Sequence, residues 1–493
     1  MLAAIRSALS GSSPTRPDPA EYQPVIPSNA ANADPADPAT LDYIDRQLGH
    51  GAARDVIEYE SVKVYFCFWV LGAGVLMSWN GELSPHMYVP STDIVPPPGL
   101  EPTWKSLEYT IHGILLCKPL LSWYGSAPCR QVLLMTALLT TYPALPALFP
   151  ILSSSLLLTV LIFICLVLSF STAYLQSSVF ALSSLWGSEQ TLGVMSGQGG
   201  IAVLVSGVQF VLAFVSAIAK SDNGQGDEGE EASKLAGVGL WAACSLGVVG
   251  CFMASRYLKR HPKYLDVVAP KFATSELNGV EGNKRESGTT RKLFKKNWEL
   301  NLAVAWVFVV TLSVFPPITT RILSTHQPTP RLLQPDVFMP LHFVIFNSKS
   351  IASAFGLWKL TSFIVGDYIG RTYLASYSAL HLTSPRRILF LSLGRTLFIP
   401  VFFACNVTPR EVGNTPFINS DILYFLIILL FSMTNGYLGS LCMVISSSPD
   451  LNPRIKADER DVAATLASFC LVAGLAAGSL ASFAVGAAVN RAL

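Results

Sequence analysis

Charge is what this chain has least of. Only 13% of its 493 residues are Asp, Glu, Lys or Arg, against about 25% in an ordinary soluble domain. Hydrophobic residues make up 51% and the mean hydropathy is +0.45. So few charges cannot cover a water-facing surface of this size, which excludes a soluble enzyme and a disordered scaffold. A net charge of +2 gives no footprint for a polyanion, so no nucleic-acid partner is expected. A multi-pass membrane protein remains.

Catalytic and metal-binding patterns are scarce as well. The nine cysteines are scattered through apolar stretches rather than arranged as a disulfide framework, and read as small apolar residues. No CxxC, HExxH or His–carboxylate spacing occurs, so neither a metal nor another cofactor is expected. No Ser/His/Asp or paired-Asp arrangement supports an intramembrane hydrolase, and no charged ring or filter-like repeat supports a channel. The chain reads as a non-enzyme with no evident obligate protein partner beyond the lipid bilayer.

What is present is a series of long charge-free runs. The longest covers 58 residues between Arg130 and Glu189, and others span 64–81, 190–219, 235–255, 300–320, 422–449 and 462–490. A span needs about 20 mostly apolar residues. The longest run therefore holds two, turning at Pro143, Pro146 and Pro150. Further spans carry charge: one near 106–126 with Lys118, one near 355–376 with Asp367 and Arg371, and one near 388–405 with Arg395. The expected fold class is all-α integral membrane, with about 11 transmembrane helices.

Flanking charge orients them. Arg256–Lys296 carries eleven Lys and Arg, whereas the 220–234 loop carries five acids and no arginine. The positive-inside tendency puts the amino terminus in the cytosol and the carboxyl terminus across the membrane. Residues 1–60, rich in Pro, Ser, Ala, Asn and Asp, read as a disordered cytosolic tail without a signal-peptide core. The basic loop 259–297 then divides a six-helix bundle, 61–258, from a five-helix bundle, 298–493, the organisation of transporters built around a central site.

Asp367 and Arg371, four apart, share one helix face. A charge at mid-bilayer costs about 2.5–3.5 kcal/mol even on the lenient insertion scale, so the pair must face protein or water. It reads equally well as a solute site and as an ion pair locking helices. Gln176, deep in the longest charge-free run, can read a base edge or a sugar hydroxyl, though intramembrane amides more often bond a neighbouring helix. Trp79 and Asn80 close the first span, where a tryptophan is usually an interfacial anchor. Lys118 and Arg395 read as snorkelling or structural charges. Gly474, Gly478, Ser482 and Gly486, and Gly193, Gly197 and Gly200, form small-residue stripes suited to close helix packing.

Several ordered motifs resemble one family, the equilibrative nucleoside transporters. They are LGAGVLMSWN (71–80), LQSSVFALSSLWGSEQTLGVMSGQGG (175–200), VTLSVFPPI (310–318), FIVGDYIGR (363–371), RTLFIPVFFACN (395–406) and NGYLGSLCM (435–443). The resemblance covers nearly all of the chain after residue 60. It implies a major-facilitator-like 6+5 arrangement and facilitated diffusion of purine and pyrimidine nucleosides, in some members nucleobases. It implies that Asp367 and Arg371 hold the ribose, that Gln176 reads the base, and that Trp79 and Asn80, with Leu76, Leu83 and Leu120, line the pocket. A carboxylate paired with arginine is a poor proton carrier, which favours uniport over proton symport. A nucleoside-binding sensor or receptor is the alternative from another class. Ser78, Ile364 and Lys118 depart from the family pattern, which bears on substrate preference. The Pro-rich tail resembles fungal or vacuolar members, so a vacuolar/lysosomal-type membrane or the plasma membrane is expected.

Overall fold

The computed structural model describes residues 52–81, 175–222, 249–264, 290–315, 363–377, 382–407 and 416–492, with isolated positions such as 172, 246–247, 318–319, 322 and 380. Leu83, Leu120, Lys118 and the spans expected near 115 and 140 lie outside the described residues. Beyond Ser61 the described chain belongs to one unit, Val62–Leu493. It is all-helical: no strand occurs among the described residues, only an isolated bridge between Ile322 and Val407.

In chain order the helices are α1 (Ala52–Gly81), α2 (175–186), α3 (Ser188–Asp222) and α4 (249–260). After the loop come α5 (Thr290–Lys296), α6 (Trp298–Val314), α7 (Phe363–Ile369), α8 (Pro385–Gly394), α9 (Phe398–Phe403), α10 (Asp421–Ser447) and α11 (Arg460–Ala492). Among the described residues, Asp421–Ser447 and Ala457–Ala488 are each long and apolar enough to cross a membrane. The pair α5 and α6, bent by 76°, passes the same test together, and Ser61–Met77 is a shorter apolar helix. The two long helices fall at the spans expected near 433 and 475, and the bent pair at the one expected near 310.

Local sequence explains where helices break. Gly187 separates α2 from α3 at φ 141°, a backbone conformation that glycine adopts without a side-chain penalty. Pro385 sits in the first turn of α8, where its missing N–H costs nothing. Ser420 caps α10 by accepting from the Leu423 amide at 3.4 Å, satisfying one of the orphan donors of the first turn. Residue Asn297 marks the α5–α6 bend. Its side chain donates to the Ser446 carbonyl at 2.7 Å and accepts from Asn452 at 2.8 Å, tying the bend to the end of α10.

Two of the small-residue stripes pack as expected. Gly193 lies on Tyr65, and Gly197 and Gly200 on Trp69, so α3 meets the backbone of α1. Gly474 and Gly478 lie against Ala305 and Val309 of α6, and Ser482 is buried. Among the described residues, nothing lies within 4 Å of a methyl group at Gly486. Helix α6 is apolar on every side and packs most extensively on α11, as expected of a helix surrounded by others. The described cysteines, Cys67, Cys251, Cys405, Cys442 and Cys470, are all free.

Candidate functional site

Asp367 and Arg371 are 7% and 5% exposed, and they bond each other. Arg371 Nε donates to Asp367 Oδ2 at 2.6 Å. The helix is irregular here: α7 runs into a π turn, Gly370–Leu374, closed by the Ala375 amide on the Gly370 carbonyl at 3.1 Å. Single π turns inside α-helices recur at functional sites because they re-aim side chains out of α register.

Glycines hold this segment against α10. A methyl group on Gly370 would overlap the Met433 carbonyl, one on Gly436 the Asp367 carbonyl, and one on Gly366 the Ser432 hydroxyl. The segment 366–370 and α10 therefore touch closely over about one turn, backbone on backbone at Gly370–Met433 and Asp367–Gly436, and α10 delivers Asn435 directly to the pair. Asn435 Nδ2 donates to Asp367 Oδ1 at 2.7 Å. Among the described residues, each carboxylate oxygen thus accepts one protein donor and keeps a second lone pair.

The polar chain continues into the interior. Asn435 Oδ1 accepts from Thr311 Oγ1 at 2.7 Å and from Arg395 Nη2 at 3.5 Å. Arg395 Nη2 also donates to Thr311 Oγ1 at 3.0 Å, and its Nη1 donates to the Phe431 carbonyl at 2.8 Å and to Thr434 Oγ1. The Arg395 guanidinium lies 4.5 Å from the centroid of the Phe431 ring, a cation–π distance. On the other side, Arg371 Nη1 donates to Gln198 Oε1 of α3 at 3.4 Å. Gln198, Thr311, Arg395 and Asn435 are all buried. One carboxylate, two guanidiniums and three neutral polar side chains thus converge from α3, α6, α7, the turn after α8, and α10.

Arg395, expected to be a structural charge, belongs to this cluster. Asn435, Thr311 and Gln198 lie within motifs noted in the sequence but carry no assigned role there. The available signal was polar side chains, Asn435 and Gln198 above all, within otherwise largely apolar helices.

The other expected site residues are placed as follows. Gln176 is buried on α2 and donates to Ser468 Oγ of α11 at 3.3 Å. Among the described hydrogen bonds its partner is therefore a neighbouring helix, not the Asp367 cluster. Leu76 is half-buried and packs against the main apolar core. Trp79 and Asn80 stand in the last turn of α1, and their side chains lie outside the described set. No group of three or more metal-ligating side chains occurs among the described residues.

Residues 161–487 match the family model described as "Nucleoside transporter", a stretch that contains every member of the polar cluster. The chain is 25% identical over 483 residues to equilibrative nucleoside transporter 1 of Rattus norvegicus, covering 86% of this chain and 97% of the relative. It is 26% identical to equilibrative nucleoside transporter 2 of the same species, covering 88% and 99%. It is 24% identical to nucleoside transporter FUN26 of Saccharomyces cerevisiae, covering 85% and 83%.

Proposed function

Because this chain belongs to the nucleoside transporter family, we propose that it is an integral membrane carrier that moves nucleosides down their gradient by alternating access. The family match carries the transport class, and the relatives it covers nearly end to end carry the substrate in their names. These are transporters rather than enzymes, in keeping with a site built of hydrogen-bonding groups.

Asp367 and Arg371 form the sugar-binding element. The carboxylate keeps one free acceptor position on each oxygen, and a vicinal diol presents two donors with matching spacing. Gln176 contacts the base with the N–H and the carbonyl that its bond to Ser468 leaves over. Trp79, Asn80, Leu76, Leu83 and Leu120 supply the remaining wall. Eleven spans form halves 61–258 and 298–493, with 1–60 and 259–297 on the cytosolic side, and the amino terminus is cytosolic. Among the described residues the hydrogen bonds between these halves are few, in support of movement between them: Gln176 to Ser468, Ser196 to Thr372 at 2.8 Å, and Arg371 to Gln198 and to Met195 Sδ. The two neutral bonds contribute about 0.6 kcal/mol each on average inside membranes and the charge-assisted Arg371–Gln198 bond about 1.5–3 kcal/mol, little enough to break and remake in a transport cycle.

The direct test is uptake of labelled adenosine and uridine by purified protein in liposomes. Saturable flux that stops at equal concentrations supports the carrier. Saturable binding without flux identifies a receptor, and unchanged uptake after Asp367→Ala removes that residue from the site.

A further inference from the structure

We infer that Arg395 is a positioning residue for sugar selectivity, acting through Thr311 and Asn435 to set how Asp367 is presented. This rests on the sugar-binding reading of Asp367 given above.

The argument is one of donor and acceptor bookkeeping. A side-chain amide can point either way, and its orientation follows from what surrounds it. Asn435 lies between a carboxylate, which only accepts, and a guanidinium, which only donates. With its amino group on Asp367 Oδ1 and its carbonyl toward Arg395, both contacts are attractive. Turned over, the amide would face Arg395 with donors and Asp367 with a lone pair, opposing both at once. Thr311 reinforces the choice. Arg395 Nη2 occupies a lone pair on its hydroxyl, leaving the single proton for Asn435 Oδ1 or the Val307 carbonyl, both at 2.7 Å.

Arg395 is itself immobilised. It is 2% exposed, bonded to the Phe431 carbonyl and Thr434, and stacked over Phe431. It also stands in a 3₁₀ turn, Arg395–Leu397, a tightening that interrupts the ninth expected span at this residue. A fixed cation one amide away from Asp367 thus orients the amide, and the amide orients the carboxylate. Arg371 constrains the second oxygen. The two free lone pairs therefore point in set directions, which is what recognition of a sugar diol requires.

A merely structural role for Arg395 would alter all substrates alike, whereas a positioning role acts only on substrates that use the hydroxyl contacts. The test is KM for uridine and for 2′,3′-dideoxyuridine in proteoliposomes, expressed as the dideoxy-to-ribo ratio. Asp367→Ala is expected to bring the ratio close to one. Asn435→Ala, Thr311→Val and Arg395→Lys are expected to lower it about three- to tenfold, the range for one misdirected hydrogen bond. KM for the dideoxynucleoside should change less than about twofold in all three. Thr311→Val is nearly isosteric and Arg395→Lys keeps the charge while losing the two-pronged donor, so these two decide the matter even where a harsher variant fails to fold. If Asp367→Ala collapses the ratio and both leave it intact, the positioning role is overturned and the sugar site stands. If Asp367→Ala leaves the ratio unchanged, the sugar site itself falls.

Discussion

Gln176 reaches Ser468 across 292 residues of sequence, donating its amide to the hydroxyl at 3.3 Å. With one N–H on Ser468, the second N–H and the carbonyl of Gln176 remain for a nucleobase, so the amide either reads the base or serves packing alone. The two outcomes separate cleanly. Under the proposed role, Gln176→Leu should change the ratio of adenosine to uridine KM by about threefold or more, while Ser468→Ala should leave that ratio within about twofold, because it removes only the resting partner. A bond that serves packing alone would make both substitutions equivalent, each lowering thermal stability in detergent by about 0.6 kcal/mol, with at most about 1.7.

The glycine contacts between α7 and α10 lead to a sharper expectation. Gly436→Ala would force a methyl group into the Asp367 carbonyl. Overpacking a tight contact costs about 1–3 kcal/mol, and here the strain falls on the site. Uptake should drop at least about tenfold and the unfolding midpoint should fall. Gly486→Ala is the control: among the described residues nothing lies within 4 Å of the added carbon, and replacing a helical glycine by alanine gains up to about 1 kcal/mol. Normal uptake in Gly436→Ala would show that α7 and α10 do not meet there.

These contacts show which features the sequence made legible. The i, i+4 spacing of Asp367 and Arg371 announces a shared face and a buried pair, because the helix period is fixed and charge in an apolar span is costly. The small-residue stripes announce close packing for the same reason. Where a stripe ends is not legible: Gly486 continues the repeat of Gly474 and Gly478, yet among the described residues nothing lies within 4 Å of a methyl group there. The convergence of Asn435, Thr311, Arg395 and Gln198 is less legible still. They come from four separate segments, and no spacing within one helix records which faces meet. Arg395 alone reads as a snorkelling cation. Only tertiary packing turns it toward Asn435.

Glu299 opens α6 with its side chain 5% exposed, bonded to Arg454 and 3.5 Å from Arg386. The two arginines differ in burial, at 44% exposed for Arg454 and 87% for Arg386. Solvent and salt screen the more exposed arm, so Arg454→Ala should lower the unfolding midpoint more than Arg386→Ala. Glu299→Gln, which leaves Arg454 facing an uncharged group, should cost about 1–3 kcal/mol. Raising salt from 0.05 to about 0.5 M should erase the effect of Arg386→Ala while leaving most of that of Arg454→Ala. Equal effects of the two arginines would contradict the assignment of Arg454 as the principal partner.

Proton coupling needs a carboxylate that exchanges its proton during the cycle. Asp367 is poorly suited, since one oxygen is held by the Arg371 guanidinium at 2.6 Å and the other by the Asn435 amide at 2.7 Å. Among the described residues, the other buried carboxylates stand at helix starts rather than mid-span: Glu299 under two arginines, and Asp421 and Asp461 in the first turns of α10 and α11. Uridine inside proteoliposomes should therefore rise only to the external concentration, and an inward proton gradient of about two pH units should leave that plateau unmoved. An ideal one-proton symporter under the same gradient would concentrate substrate about a hundredfold, since each pH unit is worth about 1.4 kcal/mol, or tenfold in an equilibrium constant. Accumulation of even severalfold, abolished by collapsing the gradient, would make this chain a symporter and require a carboxylate other than Asp367 to carry the proton.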